Sequence, residues 1–331
     1  MIPSRRKLKK NHIFDTTHLK ILPLSNREHN LDLSVIMPMT TRGQVNKNLT
    51  TVAKRIIQAR KKEAAVVLMM GAHVIRAGVQ RYLIDMMKRG RITCLSMNGA
   101  GIIHDFELSL IGKTTENVAR YITDGRFGLW QETGLINDIV NRAAKRDMGL
   151  GEAVGKEILE GDFPHKDISL FAAGYRLGIP VTVHVGIGYD IVYEHPNCDG
   201  AAWGKTSYTD FLRFAGAMES LKNGVVMNFG SAVMAPEIFL KALTMVRNIA
   251  KQEERKIDNF TTLVCDIKPL PAAFHAEAER ENPDYYFRPW KTMLVRSLAG
   301  SGKGYYVQGE HGRTIPELWT AITNLESSGR E

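Results

Sequence analysis

Short glycine-rich segments follow several apolar runs of this chain, and their residue types suit the binding of a phosphate group. They are Gly71-Ala72-His73, Asn98-Gly99-Ala100-Gly101, Gly186-Ile187-Gly188 and Phe229-Gly230-Ser231. Glycine at a strand end lets backbone N–H groups approach a phosphate, because no Cβ atom stands in the way, and the following helix attracts the anion. The repetition of this pattern favours a nucleotide or dinucleotide site over plain turn formation, for which glycine is also used.

Two of the glycine patterns depart from well-known phosphate-binding fingerprints. Asn98-Gly99-Ala100-Gly101 continues with Ile102-Ile103-His104, so it lacks the third small residue of the GxGxxG motif. Gly300-Ser301-Gly302-Lys303-Gly304 lacks the Walker spacing and the hydroxyl residue after the lysine, which favours a flexible hairpin over a phosphate loop. The nucleotide prediction therefore depends on where the glycines fall, not on a motif.

Four histidines are candidates for acid–base chemistry, since imidazole titrates near neutral pH. His73 and His104 lie near predicted strand ends, and His311 lies near the C-terminus. His184 lies inside an apolar strand, where a hydrogen-bonded core histidine is the stronger interpretation. His73 and His104 are therefore the better placed of the four.

The segments that must position these residues alternate between strand-like and helix-like patterns. Residues 64–70 form an unalternated apolar run, as expected of a strand buried on both faces. Similar runs predict strands at 92–97, 181–185, 224–228 and 261–265, and helical periodicity predicts helices at 48–63, 74–88, 135–144, 151–159, 167–177, 209–221, 235–253 and from about 314. We therefore expect an α/β, Rossmann-like fold with a mostly parallel sheet and helices on both faces.

Composition indicates a globular chain with a basic extension. The 331 residues, 44% hydrophobic and 24% charged, suit a single domain at 31–331, preceded by a polar, basic arm at 1–30. The net charge of +9 derives partly from this arm. Because no nucleic-acid recognition motif accompanies it, a solvated basic surface is favoured over nucleic-acid binding.

Apolar runs and cysteines bear on compartment and on metal binding. No apolar run approaches the roughly 20 residues that span a bilayer, and no apolar stretch follows the basic N-terminus as in a secretory signal. We therefore expect a cytoplasmic protein that does not enter membranes. Cys94, Cys198 and Cys265 are isolated and lack metal-ligand spacing, which predicts reduced thiols and no metal site.

Several of these segments together resemble the deoxyhypusine synthase family. The resemblance is carried by residues 71–78, 97–101 with Asp105, 179–181 followed by Gly188-Tyr189-Asp190, 225–231, and 283–291. The order of these segments is that of the family from about residue 35 to residue 320. No single motif is identical to the family pattern, so the match is long and diffuse.

The resemblance implies an NAD-dependent transferase. Members of this family bind NAD, oxidise spermidine and move its aminobutyl group, through an imine on an active-site lysine, to a protein lysine. Related enzymes pass the group to a free amine, and the family works as a homotetramer with sites between subunits. For this chain the resemblance implies NAD as cofactor, a polyamine-like donor, an acceptor that is a protein or a free amine, and a homo-oligomer.

The resemblance and the glycine-rich strand ends together assign roles to individual residues. The contacts to NAD fall on Ala72, His73, Asn98, Gly99, Ala100, Gly101, Gly230, Ser231 and Asp266. Asp190 matches a family carboxylate beside the amine, and Trp290 matches an aromatic wall. Glu237 offers a second carboxylate for the ammonium groups of a polyamine.

Two lysines compete for the role of the imine-forming residue. Lys291 has the position in chain order that the family lysine has, but it directly follows Trp290, whereas the family has a glycine between them. Lys205 follows a tryptophan and a glycine, in Trp203-Gly204-Lys205, as the family lysine does, but it precedes the fourth strand. Chain order ranks Lys291 above Lys205, and for either lysine a structural or solvated role is the alternative.

Further departures from the family pattern argue against deoxyhypusine synthesis itself. Ala235-Pro236-Glu237 stands where the family has a Lys-His-His run, and residues 308–312 replace an Asp-Ala pair. A relative with another amine substrate therefore fits better. Two alternatives stay open: a nucleotide-binding or regulatory protein without lysine chemistry, and an NAD-dependent amine oxidoreductase without group transfer.

Overall fold

Alternate residues of the central strand pack into two different apolar clusters. The side chains of Val66, Leu68 and Met70 belong to one cluster, and those of Val67 and Met69 belong to the other. Because successive side chains of a strand point to opposite faces, a strand that is apolar at every position needs cover on both sides. The sheet accordingly lies between two layers of helices.

The computed structural model describes residues 13–298 and 300–328, which form eight strands and eleven α-helices. The strands are β1 (Leu31–Asp32), β2 (Val66–Met70), β3 (Cys94–Asn98), β4 (Lys113–Thr114), β5 (Val181–His184), β6 (Val225–Phe229), β7 (Thr261–Asp266) and β8 (Lys303–Gln308). The helices are α1 (Lys47–Lys61), α2 (His73–Arg76), α3 (Gln80–Lys88), α4 (Gly99–Ile111), α5 (Val118–Thr123), α6 (Gln131–Ala144), α7 (Leu150–Glu160), α8 (Leu170–Leu177), α9 (Gly200–Met218), α10 (Met234–Gln252) and α11 (His311–Ser328). A π-helical segment, Pro289–Val295, lies between β7 and β8.

Six of the strands form one sheet in the order β5-β3-β2-β6-β7-β8, and every neighbouring pair is parallel. Counted along the chain, this is the strand order of the Rossmann fold, so the predicted fold class is confirmed. The chain builds outward from β2 on one side and then returns to place β6 on the other. The switch point of the sheet therefore lies between β2 and β6. Strands β1 and β4 form a separate antiparallel pair.

The helix predicted at 74–88 is two helices, α2 and α3. Gly78 separates them with a φ of +72°, and a Cβ atom there would collide with the carbonyl group of Val35. That left-handed conformation is unfavourable for residues with a Cβ atom, and the chain passing over Gly78 leaves no room for one. The apolar periodicity continues on both sides of Gly78, so the sequence pattern does not reveal the break.

Helix α4 was not among the predicted helices, because its first residues, Gly99-Ala100-Gly101, have the composition of a turn. The structure places them in the first turn of the helix instead. A Cβ atom on Gly101 would lie 2.5 Å from the Sδ atom of Met97 in β3. Gly101 therefore allows close packing of helix on strand, which is the structural role of the third glycine in dinucleotide-binding folds.

Leu24 and Arg27, which belong to the expected basic arm, contact α6 and α4. The side chains of Arg27 and of Glu107 in α4 are each 1% exposed, and the guanidinium donates to both carboxylate oxygens at 2.9 and 2.6 Å. The backbone N–H of Leu24 donates to Glu132 of α6 at 2.6 Å. The basic residues of the arm at 1–12 lie outside the described residues.

Side chains of α9 cover one edge of the sheet, at β5. The Asp210 carboxylate accepts hydrogen bonds from the backbone N–H groups of Val183 and Gly151, at 2.8 and 2.9 Å. Ser207 donates to the Val183 carbonyl at 2.8 Å. Burial raises the pKa of the Asp210 carboxyl to about 7. These contacts satisfy edge groups that could otherwise pair with a strand of another molecule.

Candidate functional site

The carboxyl ends of β2, β3, β5 and β6 surround a cavity of about 820 Å³, which we term the main cavity. It lies at the switch point of the sheet, where ligands bind in folds of this kind. Its volume falls within the roughly 300–1,000 Å³ of small-molecule sites. Its walls are formed by Gly71, Ala72, His73, Asn98, Gly99, Ala100, His104, His184, Val185, Gly186, Tyr189, Asp190, Gly230, Ser231, Ala232, Val233, Met234, Glu237 and Ile238.

Nine residues that the sequence assigns to the site line the main cavity. They are Ala72, His73, Asn98, Gly99, Ala100, Asp190, Gly230, Ser231 and Glu237. They meet because the parallel strands end in register, with Met70 of β2 opposite Met97 of β3 and Phe229 of β6. The structure places Gly101, Asp266, Trp290, Lys291 and Lys205 elsewhere.

Gly71 and Gly230 bring the ends of β2 and β6 together at the floor of the main cavity. A Cβ atom on Gly71 would lie 2.6 Å from the carbonyl oxygen of Gly230, a distance that side chains do not tolerate. Gly230 itself has a φ of +66°. The floor is therefore bare backbone, which a ligand can approach closely.

The loop between β6 and α10 presents the start of a helix to the main cavity. Asn228 shapes this loop: its Oδ1 accepts from the Ser231 N–H at 3.1 Å, and its Nδ2 donates to the Ser231 carbonyl at 2.9 Å. The Ser231 hydroxyl accepts from the N–H of Ala235 at 3.0 Å. The start of α10 carries partial positive charge, which favours an anionic group, but Pro236 has no N–H and the N–H groups of Ala235 and Glu237 are already bonded, so in this turn only the Met234 N–H has no partner among the described residues.

The carboxylate of Asp190 lies over the first turn of α4. A Cβ atom on Gly99 would collide with its Oδ2 atom. Burial raises the pKa of the Asp190 carboxyl to about 6, and no donor or cation of the described residues contacts it. A largely buried carboxylate without a partner is suited to neutralising a cationic ligand group.

A hydrogen-bond chain fixes the tautomer of His104, which lines the main cavity from α4. Thr114 donates its single hydroxyl proton to the Glu107 carboxylate at 2.7 Å. Its oxygen must then accept the Nδ1–H of His104, which lies at 2.9 Å. Burial lowers the pKa of the His104 imidazole to about 4, so the ring is uncharged at neutral pH. Its Nε2 therefore carries a lone pair and can accept a hydrogen bond.

His184, the last residue of β5, also lines the main cavity. Its ring packs edge-on against Phe214, with centroids 5.6 Å apart, and its Nε2 lies 3.1 Å from the hydroxyl of Thr182. Burial lowers the pKa of the imidazole to about 3. Its Nδ1 is buried and has no partner among the described residues, so this nitrogen is free to contact a ligand.

His311 and Asp266 lie behind the floor of the main cavity. His311 is the first residue of α11, and a Cβ atom on Gly230 would collide with its ring. Burial lowers the pKa of the His311 imidazole, and the carboxylate of Asp266 opposes that shift. Asp266 Oδ1 accepts from the N–H of Lys268 at 3.0 Å. Both residues therefore support the floor without lining the main cavity.

The carboxylate of Glu237 faces the main cavity from the first turn of α10, but it already has cationic partners. Lys241 donates a hydrogen bond to it, and Arg288 lies 3.2 Å from its other oxygen. The hydrogen bond from Lys241 lowers the pKa of the Glu237 carboxyl. Of the two predicted substrate carboxylates, Asp190 is the one without a cation beside it.

Trp290 and Lys291 lie on the π-helical segment, away from the main cavity. The Trp290 side chain is buried, and its Nε1 donates to the carbonyl groups of Phe274 and Ala276 at 2.8 and 3.0 Å. Lys291 is 8% exposed, and its Nζ lies 3.2 Å from the ring centroid of Tyr285. In this position Trp290 fixes the backbone around residues 274–276.

Lys205 lies on the exposed side of α9. Its Nζ is 2.7 Å from the carboxylate of Asp147, and the two side chains are 52% and 83% exposed. An ion pair as exposed as this contributes little to stability, because water screens both charges. Nothing in its surroundings desolvates the amine.

Several lining residues were absent from the sequence-based site. Gly186 and Tyr189 belong to the loop after β5, where the glycine spacing signalled a strand end but gave no individual role. Val233, Met234 and Ile238 line the cavity from the start of α10. Their apolar side chains carry no chemical signature, so only the position of the helix reveals them.

Comparison with known proteins relates this chain to others by fold. No protein-family model and no curated protein sequence matches it. ArgZ, an arginine dihydrolase from the ornithine–ammonia cycle in cyanobacteria, has a similar structure with a TM-score of 0.50 and 15% identity, over 85% of this chain and 33% of that chain. A conserved protein of Methanococcus maripaludis S2, described as of the LOR/SDH type, has a TM-score of 0.50 and 15% identity, over 88% of this chain and 74% of that chain.

A protein of Entamoeba histolytica described as a deoxyhypusine synthase is also similar, with a TM-score of 0.46 and 10% identity, over 84% of this chain and 88% of that chain. At 15% identity, the similarities to ArgZ and to the Methanococcus maripaludis protein establish the α/β fold alone. This chain spans about a third of the length of ArgZ. Among the described residues, no helix combines the length and the apolar character that crossing a bilayer requires.

Proposed function

We propose that this protein is an NAD-dependent enzyme that acts on a small molecule carrying an amino group. The observation that carries the proposal is the main cavity, which the glycine-rich ends of β2 and β6, the start of α10 and the unpartnered carboxylate of Asp190 line together. The strand ends and the helix suit the diphosphate of a dinucleotide, and the carboxylate suits an ammonium group.

The residues of the main cavity fit NAD. The bare backbone at Gly71 and Gly230 admits a ligand to the floor, and the partial positive charge at the start of α10 favours a diphosphate. The Nδ1 of His184 and the Oδ1 of Asn98 are buried polar atoms without partners in the described chain, which hydroxyl or amide groups of the ligand can satisfy. Bound NAD would supply a hydride acceptor.

Asp190 and His104 define where the amino group binds. Both side chains line the main cavity, and an ionised Asp190 neutralises an ammonium while the His104 Nε2 lone pair accepts one of its N–H groups. The amine must lose a proton before the carbon beside it is oxidised to an imine. Asp190 accepts this proton, because its pKa of about 6 makes it a stronger base than His104, at about 4.

Aminoalkyl transfer through a lysine imine, as in the deoxyhypusine synthases, is the second candidate. The observation that favours it is Lys291, a lysine 8% exposed in the part of the chain that resembles that family. Against it, none of the residues found to line the main cavity is a lysine. The Lys291 Nζ also faces the Tyr285 ring in a cation–π contact, which stabilises an ammonium and not the neutral amine that imine formation needs. We therefore favour amine oxidation without group transfer.

We also propose the other properties that the family resemblance implies. They are a polyamine-like substrate, a homotetramer, a cytoplasmic location and an acceptor that is a protein or a free amine. Light scattering tests the assembly, and a stable monomer would count against sites shared between subunits. A nucleotide-binding protein without catalysis is the further alternative.

The first experiment is calorimetric titration with NAD⁺, followed by NADH absorbance in the presence of a panel of primary amines. We expect NAD⁺ to bind and NADH to accumulate with at least one amine. A folded protein that does not bind NAD⁺ refutes the proposal, and binding without turnover of any amine leaves a nucleotide-binding protein.

Trapping with cyanoborohydride separates oxidation from transfer. Peptide mass spectrometry after incubation with NAD⁺, an amine and the trapping reagent would show an aminoalkyl adduct on Lys291 or Lys205 if a lysine imine forms. We expect no adduct on either lysine. An adduct without net NADH would establish transfer and overturn our preference for oxidation.

A further inference from the structure

We propose that the substrate carries a carboxylate as well as an amino group, and that a second cavity holds the carboxylate. The inference rests on the proposed function and specifies its substrate class. This side cavity measures about 350 Å³ and adjoins the main cavity, because Ala100, His104, Tyr189 and Asp190 line both. An amino group held at Asp190 therefore places the rest of the molecule in the side cavity.

Three of the charged groups in the side cavity, one guanidinium and two carboxylates, are already bonded to one another or to neighbouring donors. Arg27 is held by both carboxylate oxygens of Glu107 and lies 4.0 Å from Glu116. Glu116 also accepts from the Trp130 Nε1–H at 3.0 Å and from the Gly128 N–H at 3.2 Å. These groups form the wall of the cavity, since a ligand could engage them only by breaking buried hydrogen bonds.

Two further charged groups of the side cavity lack an oppositely charged partner within residues 13–298 and 300–328. One is Asp190, which is half-buried, and the other is Arg76, the last residue of α2, which is exposed to solvent at the edge of the cavity. The only side-chain hydrogen bond of Arg76 found there is with the His73 Nε2, at 3.2 Å. An unpaired anion and an unpaired cation on one small cavity are complementary to a zwitterion. The ammonium would bind Asp190, and the planar guanidinium of Arg76 suits a carboxylate.

The backbone and the hydroxyl of Thr115 are a second, independent indication that a ligand binds in this part of the side cavity. It follows β4 with a φ of +63°, a conformation that is rare for a β-branched residue. Its hydroxyl is buried and has no partner among the described residues, although it lines the side cavity. Backbone strain and an unpaired hydroxyl together are typical of ligand sites, and this hydroxyl can donate to a carboxylate oxygen.

The remaining walls of the side cavity favour a compact substrate. Ile103, Val118, Phe127 and Ile191 supply apolar contacts, and the volume is near the lower end for small-molecule sites. An α-amino acid with a short or medium side chain meets these requirements. A diamine offers no anionic group to Arg76.

The test compares ligands that differ only in the carboxylate. Ornithine is paired with putrescine, and lysine with cadaverine, in calorimetric titrations of the NAD⁺-saturated protein. We expect the amino acid of each pair to bind the wild type about tenfold more tightly or better, as for a charge-assisted, bidentate contact. Arg76→Gln should abolish this preference. Arg81→Gln, at an exposed arginine of α3, is the matched control and should retain it.

Thr115→Val provides a second variant that keeps the side-chain shape and removes the hydroxyl. We expect the preference for the amino acid to fall several-fold while the affinity for the diamine stays unchanged. The proposal is overturned if the diamines bind the wild type as tightly as the amino acids, or if both variants keep the preference. If the diamines bind as tightly as the amino acids and are oxidised, only the carboxylate site is refuted and the proposed function stands. If no amine binds at all, both the proposed function and the carboxylate site are refuted.

Discussion

The carboxylate of Asp190 rests directly on the backbone of Gly99, the first residue of α4, and no side chain larger than hydrogen fits between them. Burial nevertheless raises the pKa of this carboxyl to about 6, so the partial positive charge at the start of α4 does not outweigh the loss of solvation. Because Gly99 has no side chain, the Asp190 carboxylate can approach the start of α4, although it accepts no hydrogen bond there from the described residues. The opposite side of the carboxylate is left open toward both cavities.

Replacing Gly99 with alanine should displace the Asp190 carboxylate. We expect kcat/KM for the amine substrate to fall about tenfold or more, because the added methyl group moves the carboxylate out of its binding position. Gly204→Ala in α9 is the matched control, since nothing lies within 4 Å of a Cβ atom there. The control should keep full activity and gain roughly 0.5–1 kcal/mol of helix stability. Unchanged activity in Gly99→Ala would show that the carboxylate position is not needed.

The pKa of Asp190 predicts how activity depends on pH. Protonation of the carboxyl below its pKa of about 6 removes the charge that holds the ammonium, so kcat/KM should decline as the pH falls through 6. Burial and the charge of Glu116 raise the pKa of nearby Glu194 to about 7, which can broaden the profile. Asp190→Asn should bind the amine weakly and lose the inflection near pH 6. A wild-type profile flat from pH 5 to 8 would contradict the role of Asp190.

The same raised pKa has an opposite consequence for stability. Burial favours the protonated carboxyl of folded Asp190, so its contribution is fully present below the unfolded pKa of 3.8 and is lost as the pH rises through 6. Above pH 6, Asp190→Asn should therefore unfold at a higher urea concentration than the wild type, and this advantage should shrink toward pH 4. Circular dichroism at several pH values measures the difference. A variant less stable than the wild type at pH 8 would be evidence that Asp190 has a stabilising partner.

The buried pair between Arg27 and Glu107 should be essential for stability. Arg27→Met leaves the Glu107 carboxylate buried without its cation, which we expect to cost about 3–5 kcal/mol of unfolding free energy. Arg120→Met is the control, because its pair with Glu28 is exposed and contributes at most about 1 kcal/mol. Urea unfolding followed by fluorescence measures both. Equal effects would mean that the segment around Arg27 can detach without loss of the core.

Trp290 is expected to act in folding and not in substrate binding. Trp290→Phe removes the donor for the carbonyl groups of Phe274 and Ala276, and we expect it to cost about 1–3 kcal/mol of stability. The affinities for NAD⁺ and for the amine should stay within about twofold of wild type, since Trp290 does not line the main cavity. A large loss of amine affinity at unchanged stability would restore the aromatic-wall role implied by the family resemblance.

The fold was predictable because its strands are buried on both faces. Residues 64–70 are apolar at every position, and the structure places Val66–Met70 at the centre of the sheet. The break at Gly78 was not predictable, because it depends on the chain around Val35 crossing over the glycine. Helix α4 was missed for a related reason: its glycines serve packing against Met97, a contact that no local pattern displays.

The floor of the main cavity could be predicted, but the side cavity could not. Glycines at the ends of parallel strands must meet at one edge of the sheet, so the positions of Gly99 and Gly230 follow from the order of elements alone. The side cavity combines Arg27, Arg76, Thr115 and Asp190, which lie in four separate parts of the sequence. Arg27 in particular belongs to a segment whose composition suggested an arm. Only tertiary packing shows that its charge is neutralised while that of Arg76 is not.

The seam between β2 and β6 joins distant parts of the chain, with Val66 paired to Val225. Strands β2, β3 and β5 can pair with one another, as can β6, β7 and β8, before the two halves of the sheet meet. Joining them closes a long loop, and such contacts form slowly. The main cavity straddles this seam, so the binding site does not exist until the halves have joined. A ligand bound there contacts both halves of the sheet and would oppose their separation.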